Sequence, residues 1–180
     1  MSTIIPLANV DPAMIEQLLD RAFEPERHRR TAYVVREGME WLPALSFAAL
    51  DDEDMLCGTI QCWPVALNTP EGRAVPLIMV GPVAVLPAMQ NEGFGKMLMV
   101  SALQALRDIS GPQGPLPQVL IGDPEYYGRF FGFTAAHTGG WVLPGEWEPA
   151  RLLCRAENPA VLPEKGVLGP WGAAARAAAG

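Results

Sequence analysis

The run Gln90-Asn91-Glu92-Gly93-Phe94-Gly95-Lys96 is the stretch of this sequence best suited to chemistry. It opens a segment with helical spacing, so two glycines and a lysine fall on a helix start. Several backbone N–H groups there lack an intrahelical partner, and the helix dipole adds positive potential. Glycine lets the main chain approach an anion with no Cβ in the way, and Lys96 adds a full charge. That pattern suits a phosphate-bearing ligand. The same glycines would also let a helix pack tightly on a sheet, and spacing alone leaves both readings open.

Other chemistries find less support. Cys57 and Cys62 are an odd number of positions apart, so on one strand they point to opposite faces. With Cys154 they read as small apolar residues of a reducing compartment. The only histidines are His28 and His137, and no HExxH or Cys/His cluster occurs, which argues against a metal site. GxSxG and GxxxxGK[ST] are missing too. Arg27-His28-Arg29-Arg30 reads as a solvated helix end or as a contact to an anion. With 13 Lys+Arg against 20 Asp+Glu, the formal net charge is −7, which disfavours nucleic-acid binding. An anion must therefore be held by local potential, not by a basic surface.

The elements that would position this stretch follow from punctuation and period. Glycine and proline number 18 each in 180 residues, yet 49% of the chain is hydrophobic, so the breakers lie between packed elements. Asp11-Pro12 caps a helix that runs to about Pro25. Thr31–Gly38 suggests a short second helix. Ser46–Leu50, Met55–Val65 and Val75–Val85 read as strands, separated by the acidic turn Asp51–Asp54 and the Asn68–Gly72 turn. Gly93–Ile109 has an apolar face at helical spacing and stops at Ser110-Gly111-Pro112. Gln118–Gly122 is a short strand. Asp123-Pro124 opens a helix that ends at Gly132. Thr134–Leu143 and Arg151–Arg155 add strand. The most apolar run, Val75–Met89, is too short and too proline-rich to span a membrane. The first residues have no basic n-region or apolar h-region, so a cytoplasmic location is expected.

A family resemblance joins these pieces. V-x-V-x-P-x-x-Q-x-x-G-x-G, from Val83 to Gly95, resembles the acyl-CoA-binding motif of the GNAT N-acetyltransferases. IGDPEYYGRFFGF, Ile121 to Phe133, resembles their second signature, in the form of the YhbS-like branch of predicted acetyltransferases. The stretch containing Gly58-Thr59-Ile60 is similar to the hairpin of that branch. The resemblance implies an α/β (α+β) fold: a mixed, mostly antiparallel central sheet with splayed central strands, flanked by helices. It assigns residues 1–155 to the acyltransferase domain and leaves 156–180 as a Pro/Gly/Ala-rich C-terminal tail.

The resemblance also implies roles. Acetyl-CoA or another acyl-CoA would be the co-substrate, with no metal, and the acceptor a small-molecule or protein amine. Neither nucleic acid nor membrane is implied as a partner, and a homodimer is left open. The backbone of Gln90, Asn91, Glu92, Gly93, Phe94, Gly95 and Lys96 would cradle the pyrophosphate. Val83, Ala84 and Val85 would pair with the pantetheine arm, and an N–H near Val85 would polarise the thioester carbonyl. A bulge at Pro82 would help the strands part. Tyr127 or Tyr126 would protonate the leaving thiolate. The family spaces this tyrosine four before the Gly of Gly-Phe. Here Tyr127 is five and Tyr126 six before Gly132, as if Phe130-Phe131 held one inserted residue. The displaced register gives an alternative reading, a non-catalytic acyl-CoA-binding module. Glu37, Glu40, Asp123 and Glu125 are all available as the base, and side chains from Ala22 to Trp41 would wall the acceptor pocket by the family's layout.

Overall fold

Two Asp-Pro pairs begin helices through the same local device. Asp11 accepts the Ala13 N–H (2.9 Å) ahead of α1 (Pro12–Phe23), and Asp123 accepts the Glu125 N–H (3.0 Å) ahead of α4 (Pro124–Phe131). The structure, a computed structural model, describes residues 2–172. Between these helices lie α2 (Thr31–Val35) and α3 (Phe94–Ile109). The strands are β1 (Thr3–Pro6), β2 (Phe47–Leu50), β3 (Leu56–Asn68), β4 (Ala74–Val85), β5 (Gln118–Ile121), β6 (Gly140–Val142), β7 (Leu152–Arg155) and β8 (Lys165–Pro170).

They form one open eight-stranded sheet in the order β1-β2-β3-β4-β5-β7, with β8 pairing both β3 and β6. The β1–β2, β2–β3, β3–β8 and β5–β7 pairs are antiparallel, while β4–β5 and β6–β8 are parallel. The β4–β5 ladder is registered only at Ile78↔Gln118 and Met79↔Val119, as expected of central strands that part.

The chain divides into two compact units. The first comprises the chain up to Arg27, Trp41–Cys62 and Val80–Gln113. In it α1 buries Ile15, Leu18 and Leu19 against Leu7, Ala48 and Ala84. Asp51 fixes the β2–β3 turn by accepting from Glu53 N–H (2.8 Å) and Met55 N–H (3.0 Å). The second unit comprises His28–Glu40, Trp63–Met79 and the chain from Gly114. Its core includes Val119, Leu153, Cys154, Trp141 and Leu168.

The structure departs from the sequence reading at both ends of the chain. β1 was not foreseen, because four residues that end in a proline and are exposed at Thr3 and Pro6 carry no alternation to read. The stretch after Ala156 is not all tail, since Val167–Pro170 pair with Val65–Asn68 of β3. Its glycines serve close approach: a Cβ at Gly166 would lie 2.7 Å from Leu67 Cγ and 3.0 Å from the Asn68 carbonyl. Residues 173–180 of the expected tail lie outside the described residues. Thr134–Leu143 is not one strand but a Thr134↔Cys154 bridge followed by the short β6.

Candidate active site

In the first unit the glycine pair stands at the start of α3. Gly93 is the N-cap of α3 at φ 90° and ψ 3°, and no side chain caps the helix. The first helical bond runs from Met97 N–H to the Gly93 carbonyl (3.1 Å), so the Phe94 and Gly95 amides precede it. A Cβ at Gly93 would meet nothing within 4 Å, and one at Gly95 would make only ordinary contact with Val83 Cγ1 at 3.9 Å. Neither glycine is required for packing α3 on the sheet. That task falls to Gly58, where a Cβ would lie 3.1 Å from both Leu98 Cδ1 and the Ala84 carbonyl. Gly93 supplies a left-handed φ, and both glycines leave the helix start open.

The other residues expected to form a cradle fall around this point. Gln90, Asn91, Glu92 and Lys96 are exposed, and Asn91 also has a positive φ of 71°. Phe94 is buried at its side chain, so only its amide is on offer. The Ala84 side chain joins the α1 core, while Val83 and Val85 are half-buried. The Val85 carbonyl receives a long contact from Gln90 Nε2 (3.4 Å), and the Leu86 N–H is tied to the Cys57 carbonyl (2.9 Å). The structure thus brings Val83–Val85 and Gln90–Lys96 together in one unit.

The tyrosines belong to the second unit. Tyr127 lies edge-on to Tyr126 (4.9 Å between centroids) and to buried Phe133 (6.3 Å), whereas Tyr126 leans on exposed Phe130 (5.2 Å). Gly132 ends α4 at φ 76°, its N–H donating to the Gly128 carbonyl (3.2 Å). The Phe133 N–H reaches the Tyr127 carbonyl (3.2 Å), a closure one residue wider than the usual five-residue span. Burial pushes the Tyr127 phenol up to about 12, aided by Tyr126 and Asp123 and opposed by Arg151. Tyr126 is raised by burial as well.

Two expectations follow. Tyr127 is raised above its ordinary value of 10, so its contribution to stability is intact below pH 10 and is lost as pH rises toward about 12. Phenolate absorbance should show one late-titrating tyrosine, removed in Tyr127→Phe; a titration complete near pH 10 would contradict the burial. Gly122 is the floor beneath this ring, since a Cβ there would lie 2.6 Å from Tyr127 Cε2. Gly122→Ala should therefore lower stability by about 1–3 kcal/mol, measured by denaturant unfolding. Sequence reading missed this residue, whose one signal was a glycine directly ahead of the Asp-Pro cap.

Comparison with known proteins decides the family. The Acetyltransferase (GNAT) domain model matches residues 4–133. The chain belongs to the GNAT acetyltransferase family. Among solved structures it is similar to the GNAT family N-acetyltransferase YhbS from Escherichia coli, in complex with CoA, with a TM-score of 0.71 and 23% identity over 94% of this chain and 89% of that one. It is also similar to a GNAT family acetyltransferase from Brucella melitensis, in complex with acetyl-CoA, with a TM-score of 0.65 and 29% identity over 97% of both chains. Comparison with the curated proteins finds no match.

Several other candidates of this GNAT chain resolve into structural parts. Arg27, from the basic cluster, is buried and donates to Glu16 and Asp20 of α1, so it pins the chain after that helix. Asp123 is occupied as a cap. Cys57, Cys62 and Cys154 are buried, and desolvation pushes their thiols up to about 11, 12 and 12 respectively, away from reactivity. Among the described residues no three His, Cys, Asp or Glu side chains gather as a metal site, and no helix is long and apolar enough to cross a membrane.

Proposed function

We propose that this protein is an acyl-CoA-dependent N-acyltransferase that passes acetyl from acetyl-CoA to a primary amine by direct attack on the thioester. The observation that carries the reading is the start of α3: a left-handed Gly93 and a Gly95 that packing does not require, beside Val83–Val85. The complexes of the Brucella melitensis protein with acetyl-CoA and of Escherichia coli YhbS with CoA support it.

The amides of Gln90–Lys96 hold the pyrophosphate, with the charge of Lys96 in the first turn. The main chain of Val83–Val85 pairs with the pantetheine arm. The amine nitrogen bonds to the acetyl carbon, the carbon–sulfur bond breaks and Tyr127 gives its proton to the sulfur, while the proton that the nitrogen sheds on becoming an amide returns through water to the Tyr127 phenolate. Tyr127 is preferred to Tyr126 on two grounds. It is held between Phe133 and Gly122, whereas Tyr126 packs toward the exposed Phe130. The widened closure from Phe133 N–H to the Tyr127 carbonyl also absorbs the one extra residue, which keeps Tyr127 in step with Gly-Phe.

The test is melting temperature with CoA, then thiol release from acetyl-CoA against a panel of amines. The reading predicts a rise in Tm and amine-dependent thiol. No rise at saturating CoA would overturn the cofactor role. A rise without turnover on any amine would leave the non-catalytic binding module.

A further inference from the structure

β3 carries two buried polar atoms that satisfy nothing. Among the described residues Thr59 Oγ1 and Gln61 Oε1 have no hydrogen-bond partner, and the two residues are 0% and 3% exposed. A buried, unsatisfied polar group bears its full desolvation penalty, so a plain core would be better served by Val and Met at these positions.

The strand geometry says where they point. Gly58 faces α3, because a Cβ there would meet Leu98 Cδ1. Thr59 and Gln61 share the opposite face, on the α1 side. Thr59 is registered with Ala48 of β2, and both Ala48 and Ala84 pack with Ile15, Leu18 and Leu19 of α1. The flanking side chains are therefore as short as an alanine allows. β3 neighbours β4 in the sheet, where Leu86 N–H bonds the Cys57 carbonyl and a Cβ at Gly58 would lie 3.1 Å from the Ala84 carbonyl. Thr59, the next residue, therefore lies beside Ala84, within the stretch proposed to pair with the pantetheine arm, and Gln61 follows two residues on along the same face of β3.

We propose that Thr59 and Gln61 form a buried subsite that holds the nitrogen of the acceptor amine through N–H···O hydrogen bonds. The inference rests on the N-acyltransferase reading and deepens it. Gln61 Oε1 is an acceptor only, and Thr59 Oγ1 accepts while its own proton turns elsewhere. The three torsions of Gln61 let its carbonyl swing onto a ligand with the strand fixed. Both oxygens are uncharged. They suit the neutral amine, which is the nucleophilic form, and disfavour an ammonium that would be buried without an opposite charge. The acceptor class this selects is an amine with an appreciable neutral fraction near neutral pH. An arylamine, or an α-amino group with its ordinary pKa of about 7.7–8.0, fits better than a lysine-type amine at about 10.4.

The experiment compares wild type with Thr59→Val and Gln61→Met, using an arylamine, a peptide α-amine and a lysine-type amine. Each variant is expected to melt at a higher temperature than wild type. Its KM for the preferred amine should rise roughly tenfold, the value of one lost hydrogen bond. KM for acetyl-CoA should stay where it was. A higher Tm with an unchanged amine KM would overturn the proposal and leave two structural orphans. A second readout is the Tm rise that the amine induces in the CoA-loaded protein, expected in wild type and lost in both variants. If that pattern holds while wild type releases no thiol, the transferase reading fails and the subsite stands. If no amine of the panel raises the Tm of wild type, the subsite is overturned. Should Thr59→Val fail to fold, Thr59→Ser, which keeps the hydroxyl, is expected to bind the amine as wild type does while Gln61→Leu does not; equal binding by both would overturn the proposal.

Discussion

Replacing Tyr127 by Phe is expected to slow turnover by roughly 10²–10⁴-fold, the usual range for losing a general acid, while CoA still raises the melting temperature. The size of the effect depends on how the phenol matches the leaving group. A phenol at about 12 is a poor acid toward a solvated thiol of about 8.5: the gap of roughly 3.5 units is about 5 kcal/mol uphill. Desolvation of the sulfur in a closed complex would narrow that mismatch, because burial raises a thiol as it raises the phenol. Tyr126→Phe should be nearly silent in kcat, because its ring packs on Phe130. Full activity in Tyr127→Phe, or a large loss in Tyr126→Phe, would reverse the assignment.

Gly93→Val is expected to abolish the stabilisation by CoA. Two effects combine. A β-branched residue at φ 90° costs about 1–2 kcal/mol of stability in the unliganded chain. Relief of that strain then rotates the amides at this helix start, to which the proposed function assigns the pyrophosphate. Gly95→Ala separates access from strain, since Gly95 is inside α3 and its Cβ would meet only Val83 Cγ1 at 3.9 Å. The unliganded variant should be as stable as wild type or up to about 1 kcal/mol more so. Its shift with CoA should nevertheless shrink. Melting curves with and without CoA check both. An undiminished CoA shift in Gly93→Val would remove the pyrophosphate from this helix start.

Local devices made much of the fold legible. Asp11-Pro12 and Asp123-Pro124 announce helices because the capping bond spans two residues. The hairpin turn at Asp51 is equally local. β8 was hidden because its meaning lies in β3, about a hundred residues away, where Leu67 leaves no room for a Cβ at Gly166. The helix start at Gly93 was visible as a pattern, yet whether packing requires its glycines could be read only from what stands opposite each missing Cβ. The grounds for preferring Tyr127 to Tyr126, its packing on Phe133 over Gly122 and the Phe133 N–H bond to its carbonyl, likewise lie outside the reach of spacing. Thr59 and Gln61 gave no sign in the sequence, since a polar residue in a strand is unremarkable until its partners are counted.

The central claim is that an acyl group leaves CoA for an amine nitrogen on this protein. Mass spectrometry of the amine after incubation with acetyl-CoA tests it most directly. The account predicts an amine carrying one acetyl group on nitrogen, formed in step with free CoA and strongly slowed in Tyr127→Phe. Intact acetyl-CoA and an unmodified amine across arylamines, α-amines and lysine-type amines would contradict it.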